Sequence, residues 1–383
     1  MKRNYIAKRF QHAGSGLSLD TEALARYKDI IDLSIGDTDF ITDEGIINAA
    51  FRDAKAGYTR YGDPKGDPEL IDAVCRAWQE DFEQKLPHDH VLVSASSCLG
   101  MALVMFSILD PGDEVIVFSP YFPMYRTQIE LAGGVCVDVP TYASEDYAID
   151  ETRLRAAITP RTKAIIFNNP TNPTGMAYGN DTLEMLARVA KEYDLLIAAD
   201  EIYTTYLYEG DFRPLRTLPG MAERTITLNS FSKNFLMTGW RVGVIIAEPE
   251  LLEVMNDING SLIYTAPSIS QRAAIHALSM RREIREKYVT AYRDRIFYTA
   301  DRIEKIPYLS LVRPKGTFYL FPGIEKTGLT DDEFCNVLLD KAHVLVSHGK
   351  AFGMAGVGHF RIACTVGIDT LKIAFDRMEK LLF

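Results

Sequence analysis

The stretch Thr182-Leu183-Glu184-Met185-Leu186-Ala187-Arg188-Val189-Ala190-Lys191-Glu192-Tyr193, followed by Leu196-Ile197-Ala198-Ala199-Asp200, sets the fold class. Its first part repeats apolar residues at helical spacing, through Leu183, Leu186, Ala187 and Ala190, and predicts a helix over 182–193. Its second part is a short apolar run without polar alternation, the pattern of a strand buried on both faces. Working outward, similar β-branched or apolar runs stand at 91–95, 114–118, 135–139, 164–168, 225–229 and 242–247. Helical patterns separate them, and Asp110-Pro111-Gly112-Asp113 marks a tight turn into the second run. Strand and helix alternating in this way predict an α/β fold, with a mostly parallel seven-stranded sheet covered by helices.

The pattern changes further on. Residues 281–306 are charged and partly periodic, through Ile284, Tyr288, Ala291, Ile296 and Ile303, which suits a long helix leaving the large domain. Short strand candidates at 318–321, 344–347 and 360–363 then mix with helical stretches at 331–341 and 370–382, an α+β pattern. The expected division is a large domain over 45–285 and a smaller one built from 286–383 together with 1–44. No internal repeat, low-complexity tract or Gly/Ser-rich linker interrupts the chain.

Composition narrows the function classes. The chain has 383 residues, 47% hydrophobic and 25% charged, which is ordinary for a globular protein and too apolar for a disordered one. A formal net charge of -10 disfavours a protein that works on a nucleic-acid backbone or an anionic membrane, since both reward clustered Lys and Arg. The longest apolar stretch, at 102–109, is too short to span a bilayer. Residues 1–10 are basic without an apolar segment behind them, so no signal peptide is evident and a cytoplasmic location is expected. Cys75, Cys98, Cys136, Cys335 and Cys364 form no C-x-x-C pair; most are read as buried thiols, with neither a disulfide framework nor a zinc site. His88 and His90 flank Asp89 after a proline and read as a solvated turn, because no third ligand cluster accompanies them. No metal is expected.

The chemistry is carried by Asn229-Ser230-Phe231-Ser232-Lys233-Asn234-Phe235 and Gly239-Trp240-Arg241-Val242-Gly243. A lysine amine attacks carbonyl carbon only when unprotonated, so a catalytic one needs desolvation or nearby positive charge. Phe231, Phe235 and Trp240 are candidates for an apolar setting, while Ser230, Ser232 and Arg241 are donors suited to a phosphate. Together these residue types point to pyridoxal 5'-phosphate, an aldehyde that carries its own phosphate anchor. Taken alone, a serine-flanked lysine is as readily a solvated surface residue.

In open α/β sheets, ligands bind outside the carboxyl ends of the strands. Asn168-Asn169-Pro170-Thr171-Asn172-Pro173-Thr174-Gly175 follows one predicted strand, Asp200-Glu201-Ile202-Tyr203 ends another, and Lys233 follows a third. As an ordered set these motifs resemble the fold-type I pyridoxal-phosphate enzymes, more narrowly the class I/II aminotransferases, from about Leu33 to the C-terminus. Any one alone is weak, because N-P-T-G is also a good turn sequence and D-E-I-Y an ordinary strand end.

The resemblance implies roles residue by residue. Lys233 is the Schiff-base lysine that shuttles a proton between the substrate Cα and the cofactor. Asp200 pairs with the pyridine nitrogen, keeping it protonated so that the ring accepts electrons. Tyr203 and Asn172 donate to the ring's phenolate oxygen. Ser97 and Cys98, with Ser230 and Arg241, form the phosphate cup; in Ser96-Ser97-Cys98-Leu99-Gly100 the chain departs from glycine-rich versions, so Cys98 contributes its amide rather than its thiol. Phe122 stacks on the ring. Arg361, in His359-Phe360-Arg361-Ile362-Ala363, clamps the substrate α-carboxylate, and Gly36 and Asn172 approach the same substrate. The family more often has Glu-Pro where this chain has Asp37-Thr38. Tyr61 reaches the neighbouring subunit's phosphate, which implies a homodimer.

The resemblance thus implies an aminotransferase moving an amino group from an L-amino acid to a 2-oxo acid by a ping-pong route through pyridoxamine phosphate. The same apparatus serves carbon-sulfur β-lyases, the first alternative, although Thr238-Gly239-Trp240-Arg241 looks more like the aminotransferases. An aminotransferase-like regulatory or binding protein is the second; residues 1–31 are shorter than a winged helix. Leu17, Tyr121, Met237 and Tyr264 are the candidates for reading the substrate side chain, with the N-terminal segment as a lid.

Overall fold

The computed structural model describes Tyr5 and residues 25–383; the expected N-terminal lid, with Leu17, lies outside the described residues. Strand β1 (Ile31–Asp32) precedes β2 (Val91–Ser94), β3 (Glu114–Ser119), β4 (Val135–Pro140), β5 (Thr162–Asn168), β6 (Leu196–Asp200), β7 (Thr225–Ser230) and β8 (Gly243–Ile246). Strands β2 to β8 form one seven-stranded sheet in the order β2-β8-β7-β6-β5-β3-β4. Neighbours from β7 to β4 run parallel, whereas β8 is antiparallel to both β7 and β2. All seven strands expected from the apolar runs are present, each shifted at its ends by one or two residues at most.

The opening stretch behaves as its spacing dictates. The helix Asn180–Glu192 starts two residues before the expected boundary and buries Leu183, Leu186, Ala187 and Ala190 together with Met185 and Val189. Its apolar stripe packs against Ile165, Phe167 and Ile197 of the sheet. On the opposite face, the helix Ser97–Ile108 packs with Val115, Val117, Leu228 and Ile245. Each large side chain removed from water here stabilises the fold by about 1.5–3 kcal/mol.

The C-terminal elements, joined by Leu33, gather around a separate apolar cluster of Leu33, Ile296, Ile303, Leu320, Phe334, Phe360, Leu371 and Phe375. Strand β9 (Tyr319–Leu320) and two later strands, β10 (Val344–Leu345) and β11 (Ser347–His348), precede β12 (Phe360–Ala363). The expected single strand at 344–347 is in fact two. Val344 and Leu345 pair in parallel with Ile31 and Asp32, while Ser347 and His348 turn to pair with Arg361 and Phe360. The expected helix at 331–341 is α-helical only over Asp331–Val337 and continues as a π-turn, Leu338–Ala342, stopped by left-handed His343. The long helix Arg281–Ile303 and the terminal helix Ile368–Met378 complete this part. Among the described residues no helix is long and apolar enough to cross a membrane.

Three of the five cysteines, Cys75, Cys335 and Cys364, are buried, whereas Cys98 is exposed and Cys136 lies between. The His88–His90 turn is solvated at His88 and Asp89 but not at His90. His90 faces inward, where its Nδ1 lies 2.9 Å from the buried Arg216, which also binds Glu248.

Candidate active site

Register brings the strand ends level. Asn168 pairs with Asp200 across β5 and β6, and Ser94 and Ser230 both pair with Gly243 across β2, β8 and β7. Everything that follows these positions therefore opens on one edge. The Asn168 side chain ties the edge together: its Nδ2 donates to the Asp200 carbonyl at 2.9 Å and its Oδ1 accepts from the Asn172 amide at 2.8 Å.

Asp200 is only 6% exposed. Its Oδ2 accepts a short hydrogen bond from the Tyr125 hydroxyl, and its Oδ1 is buried with no partner. Burial pushes the Asp200 carboxyl up to about 6, although the Tyr125 hydrogen bond opposes that shift. An orphaned buried carboxylate oxygen is costly unless something donates to it. A protonated ring nitrogen fits that requirement. Tyr125, which the sequence reading missed, lies three residues beyond Phe122 in the turn that opens the helix Met124–Leu131, and its ring meets Phe122 edge-on with centroids 5.6 Å apart. Burial holds the hydroxyls of Tyr125 and Tyr203 protonated, so both remain donors.

Strand β7 ends at Ser230 and a one-turn helix, Phe231–Asn234, lifts Lys233 over the sheet edge. The Lys233 Nζ donates to the Gly36 carbonyl at 2.5 Å and sits 5.9 Å from the centre of the Phe318 ring. The aromatics expected around this lysine do other work. Phe231 and Phe235 stack on each other against the core, and the Trp240 indole donates to Thr42. Phe318, distant in sequence, supplies the ring instead.

A cluster of free donors stands beside the lysine, lining the same cavity. Ser96 caps the helix Ser97–Ile108 with φ of +107°, a strained conformation for a non-glycine residue, of the kind that clusters at ligand sites. The amides of Ser97 and Cys98 lie in the first turn, where no carbonyl of the helix can accept from them. The Ser97 hydroxyl donates to the Asn229 carbonyl at 2.9 Å, so Ser97 faces an anion with its amide rather than its side chain. Ser230 accepts from the Ser232 amide, which leaves its own proton free to donate. Gly243 is obligatory here, because a Cβ would fall 2.8 Å from the Ser97 nitrogen. Arg241, exposed and left-handed, donates to the Thr238 carbonyl and has no carboxylate within 4.0 Å among the described residues.

Arg361 on β12 closes the other side. It is 3% exposed, and donates from Nη1 to Asn172 Oδ1 at 3.0 Å and from Nη2 to the Ser34 carbonyl at 2.5 Å and Ser347 Oγ at 3.3 Å. Burial pulls its pKa down. Its Nε is buried without a partner, and no described carboxylate lies within salt-bridge distance. A buried cation without a counter-ion carries a large desolvation cost, which an incoming anion offsets.

These groups line one cavity of about 940 Å³ that takes in Gly36, Ser97, Cys98, Phe122, Asn172, Asp200, Tyr203, Ser230, Lys233, Arg241 and Arg361. Tyr61 is the exception among the expected site residues. It stands away from the cavity, 83% exposed, edge-on to Tyr264. None of the described candidates for reading the side chain lines the cavity: Tyr121 and Met237 are buried elsewhere and Tyr264 is exposed beside Tyr61. The rim instead carries a group no sequence signal marked, Asp332 bridging His348 at 2.8 Å and Lys350 at 2.5 Å. Tyr319 was likewise missed, since its strand position gave no hint that it lines the cavity. An orphaned acid for a ring nitrogen, a cup of free amides and hydroxyl protons, and a lysine between them fit a phosphorylated pyridine aldehyde.

The family model for aminotransferase class I and II matches residues 28–378. The aspartate aminotransferase of Pyrococcus abyssi is 37% identical over 94% of this chain and 93% of its own length. The arginine–pyruvate transaminase of Pseudomonas aeruginosa is 34% identical over 96% and 95%. In structure, the aspartate aminotransferase of Thermus thermophilus solved with maleate superposes with a TM-score of 0.94 at 33% identity, covering 99% of this chain and all of the other. With that match running across both the strand-end motifs and the Arg361 strand, the chain belongs to the class I and II aminotransferases, a family of pyridoxal-phosphate-dependent transaminases.

Proposed function

We propose that this protein moves an amino group from an L-amino acid to a 2-oxo acid by two half-reactions at one site, the ping-pong route. The observation that carries the reading is the buried Arg361, without a counter-ion, facing the same cavity as Lys233 and Asp200. Two half-reactions on one site demand that donor and acceptor share an anchor, and the α-carboxylate common to amino acids and 2-oxo acids is the group they share.

The residues divide the work. The Ser97 and Cys98 amides, the Ser230 hydroxyl and Arg241 hold the phosphate, and Phe122 stacks on the ring. Asp200 Oδ1 receives the ring N–H. Tyr203 donates to the ring oxygen, as does Asn172 through Nδ2, whose Oδ1 is already committed to Arg361. Arg361 fixes the substrate carboxylate beside the Gly36 backbone, which orients the Cα bond to be broken. Lys233 would carry the proton from the substrate Cα to the cofactor carbon, and in the opposite direction in the second half-reaction. The bound pyridoxal phosphate supplies the electron sink. The partner subunit's Tyr61 completes the phosphate cup, which makes the working unit a homodimer. The division of the chain at 45–285 belongs to the same reading, and the separate apolar cluster behind Arg361 supports it.

The test is to record the visible absorbance of the purified protein and add single amino acids without an acceptor. Transamination releases one equivalent of 2-oxo acid per site and then stops. Continuous release of ammonia and pyruvate would instead identify a β-lyase. Lys233→Ala is expected to abolish both turnover and the visible band; substantial turnover in that variant would sink the proposal.

A further inference from the structure

Tyr319 sits where three parts of the site meet. Its ring lies beneath the Arg361 guanidinium, with Cζ 4.4 Å from the ring centre. Its hydroxyl is 3.2 Å from the Tyr203 hydroxyl. It also fills the space over Gly36, where a Cβ would collide with the same hydroxyl, and the Gly36 carbonyl is the acceptor for Lys233. Tyr319 belongs to β9, in the sheet that carries Arg361, whereas Tyr203 follows β6 of the large sheet. The contact therefore spans the two halves of the cavity.

We propose that Tyr319 is a positioning residue that couples carboxylate recognition at Arg361 to hydrogen-bond donation by Tyr203. This rests on the reading of the site given above. The direction of the hydroxyl pair follows from counting protons. Tyr203 has one, and if it goes to the ring oxygen of the bound group, the 3.2 Å contact is made only by Tyr319 donating to the Tyr203 oxygen. Two hydroxyls in series polarise one another, so Tyr203 becomes a stronger donor than it is alone. The ring performs the second task. Stacked under the guanidinium, it holds the fork flat against Asn172 and Ser347 and lowers the cost of burying the charge. A carboxylate arriving at Arg361 thereby bears on Tyr319, and through it on the Tyr203 oxygen.

The two roles separate by substitution. Tyr319→Phe keeps the ring and removes the hydroxyl; Tyr319→Leu removes both. In the holoenzyme the titration of the visible band reports how well the ring oxygen's anionic form is stabilised. Binding of 2-methylalanine, which has no Cα proton to lose, reports the carboxylate site. Tyr319→Phe is expected to move the spectral titration to higher pH by about 0.5–1 unit, with 2-methylalanine affinity within about twofold of wild type. Tyr319→Leu is expected to show the same shift and to bind 2-methylalanine about five- to tenfold more weakly. An unmoved titration in Tyr319→Phe overturns the hydroxyl coupling, and undiminished binding in Tyr319→Leu overturns the support of Arg361; either defeats the inference while leaving the transaminase reading intact. A wild-type protein with no visible band on adding pyridoxal phosphate would defeat that reading and this inference with it.

Discussion

The Tyr125 hydroxyl donates to Oδ2 of Asp200 and so leaves Oδ1 as the single open acceptor of a buried carboxylate. On the proposed reading, the pair would set both where a ring nitrogen docks and how acidic its partner is. Burial alone drives the Asp200 carboxyl upward, and the tyrosine restrains that rise at about 6. The site thus keeps an anion in a place that disfavours one.

Tyr125→Phe removes a donor that stabilises the charged form of Asp200. The carboxyl then titrates above about 6, and its protonated form, which cannot accept a ring N–H at Oδ1 as strongly, extends toward neutral pH. The expected result is an upward shift, by about 0.5–1 pH unit, of the acidic limb of pyridoxal phosphate binding to the cofactor-free protein. The alkaline limb stays in place. A binding profile over pH 5–9 with an unmoved acidic limb would show that Tyr125 only packs.

Glu201, adjacent to Asp200, is buried with one oxygen accepting from the Leu215 amide at 3.1 Å. Burial, aided by the Asp200 charge, raises its carboxyl from 4.5 to about 8. Between those values the folded protein holds a proton that the unfolded chain has released, so rising pH favours unfolding. The associated stability is fully present below about 4.5 and lost as pH rises through about 8. Glu201→Gln keeps the acceptor for Leu215 and removes the proton. Urea unfolding at pH 5, 7 and 9 is expected to show a smaller decline with pH in the variant, which becomes the more stable protein at pH 9. Parallel slopes for the two proteins would refute the linkage.

Much of this was legible in the chain. Several strands of the main sheet, β2 and β8 among them, announce themselves because they are buried on both faces and so read as apolar runs, whereas the edge strand β4 is partly exposed and carries Asp138. The strand-end residues Asn172, Asp200 and Lys233 follow from register once those strands exist. What stayed hidden depends on contacts between distant segments. Tyr319 faces Tyr203 across 116 residues, and Phe318 reaches Lys233 from the other sheet. The split of 344–347 into β10 and β11 was hidden for the same reason, since only its two partners, β1 and β12, show that one apolar run serves two sheets. Tyr125 alone had a local signal: it lies three residues after Phe122, and the turn that opens the helix Met124–Leu131, with the Tyr125 amide donating to the Phe122 carbonyl at 3.1 Å, brings the two rings together.

Arg361→Lys keeps the charge and removes the planar fork. The contacts to Asn172, Ser34 and Ser347 need separate nitrogens held in one plane, which a single ammonium cannot supply. Carboxylate affinity should fall by about 2–4 kcal/mol, roughly 30- to 1000-fold, and appear mainly in KM. The visible band should remain, because Lys233 and Asp200 are untouched. An unchanged KM for both amino donor and 2-oxo acceptor would remove Arg361 from the shared anchor.

Tyr61 tests the assembly. In one subunit it is 83% exposed, packed edge-on to Tyr264 at 5.1 Å and outside the cavity that holds the rest of the site. If it serves the neighbour's phosphate, Tyr61→Ala and Lys233→Ala each disable both sites of their own homodimer. A hybrid of the two variants differs. One of its sites combines both lesions, while the other has Lys233 from the first chain and Tyr61 from the second, and is wild type. Random reassociation makes half the dimers hybrids with one intact site each, so the mixture should recover about a quarter of wild-type activity. Mixing without dissociation should recover none. A reassociated mixture no more active than the sum of its parents would place Tyr61 outside the neighbouring site, and the homodimer would then have to be justified on other residues.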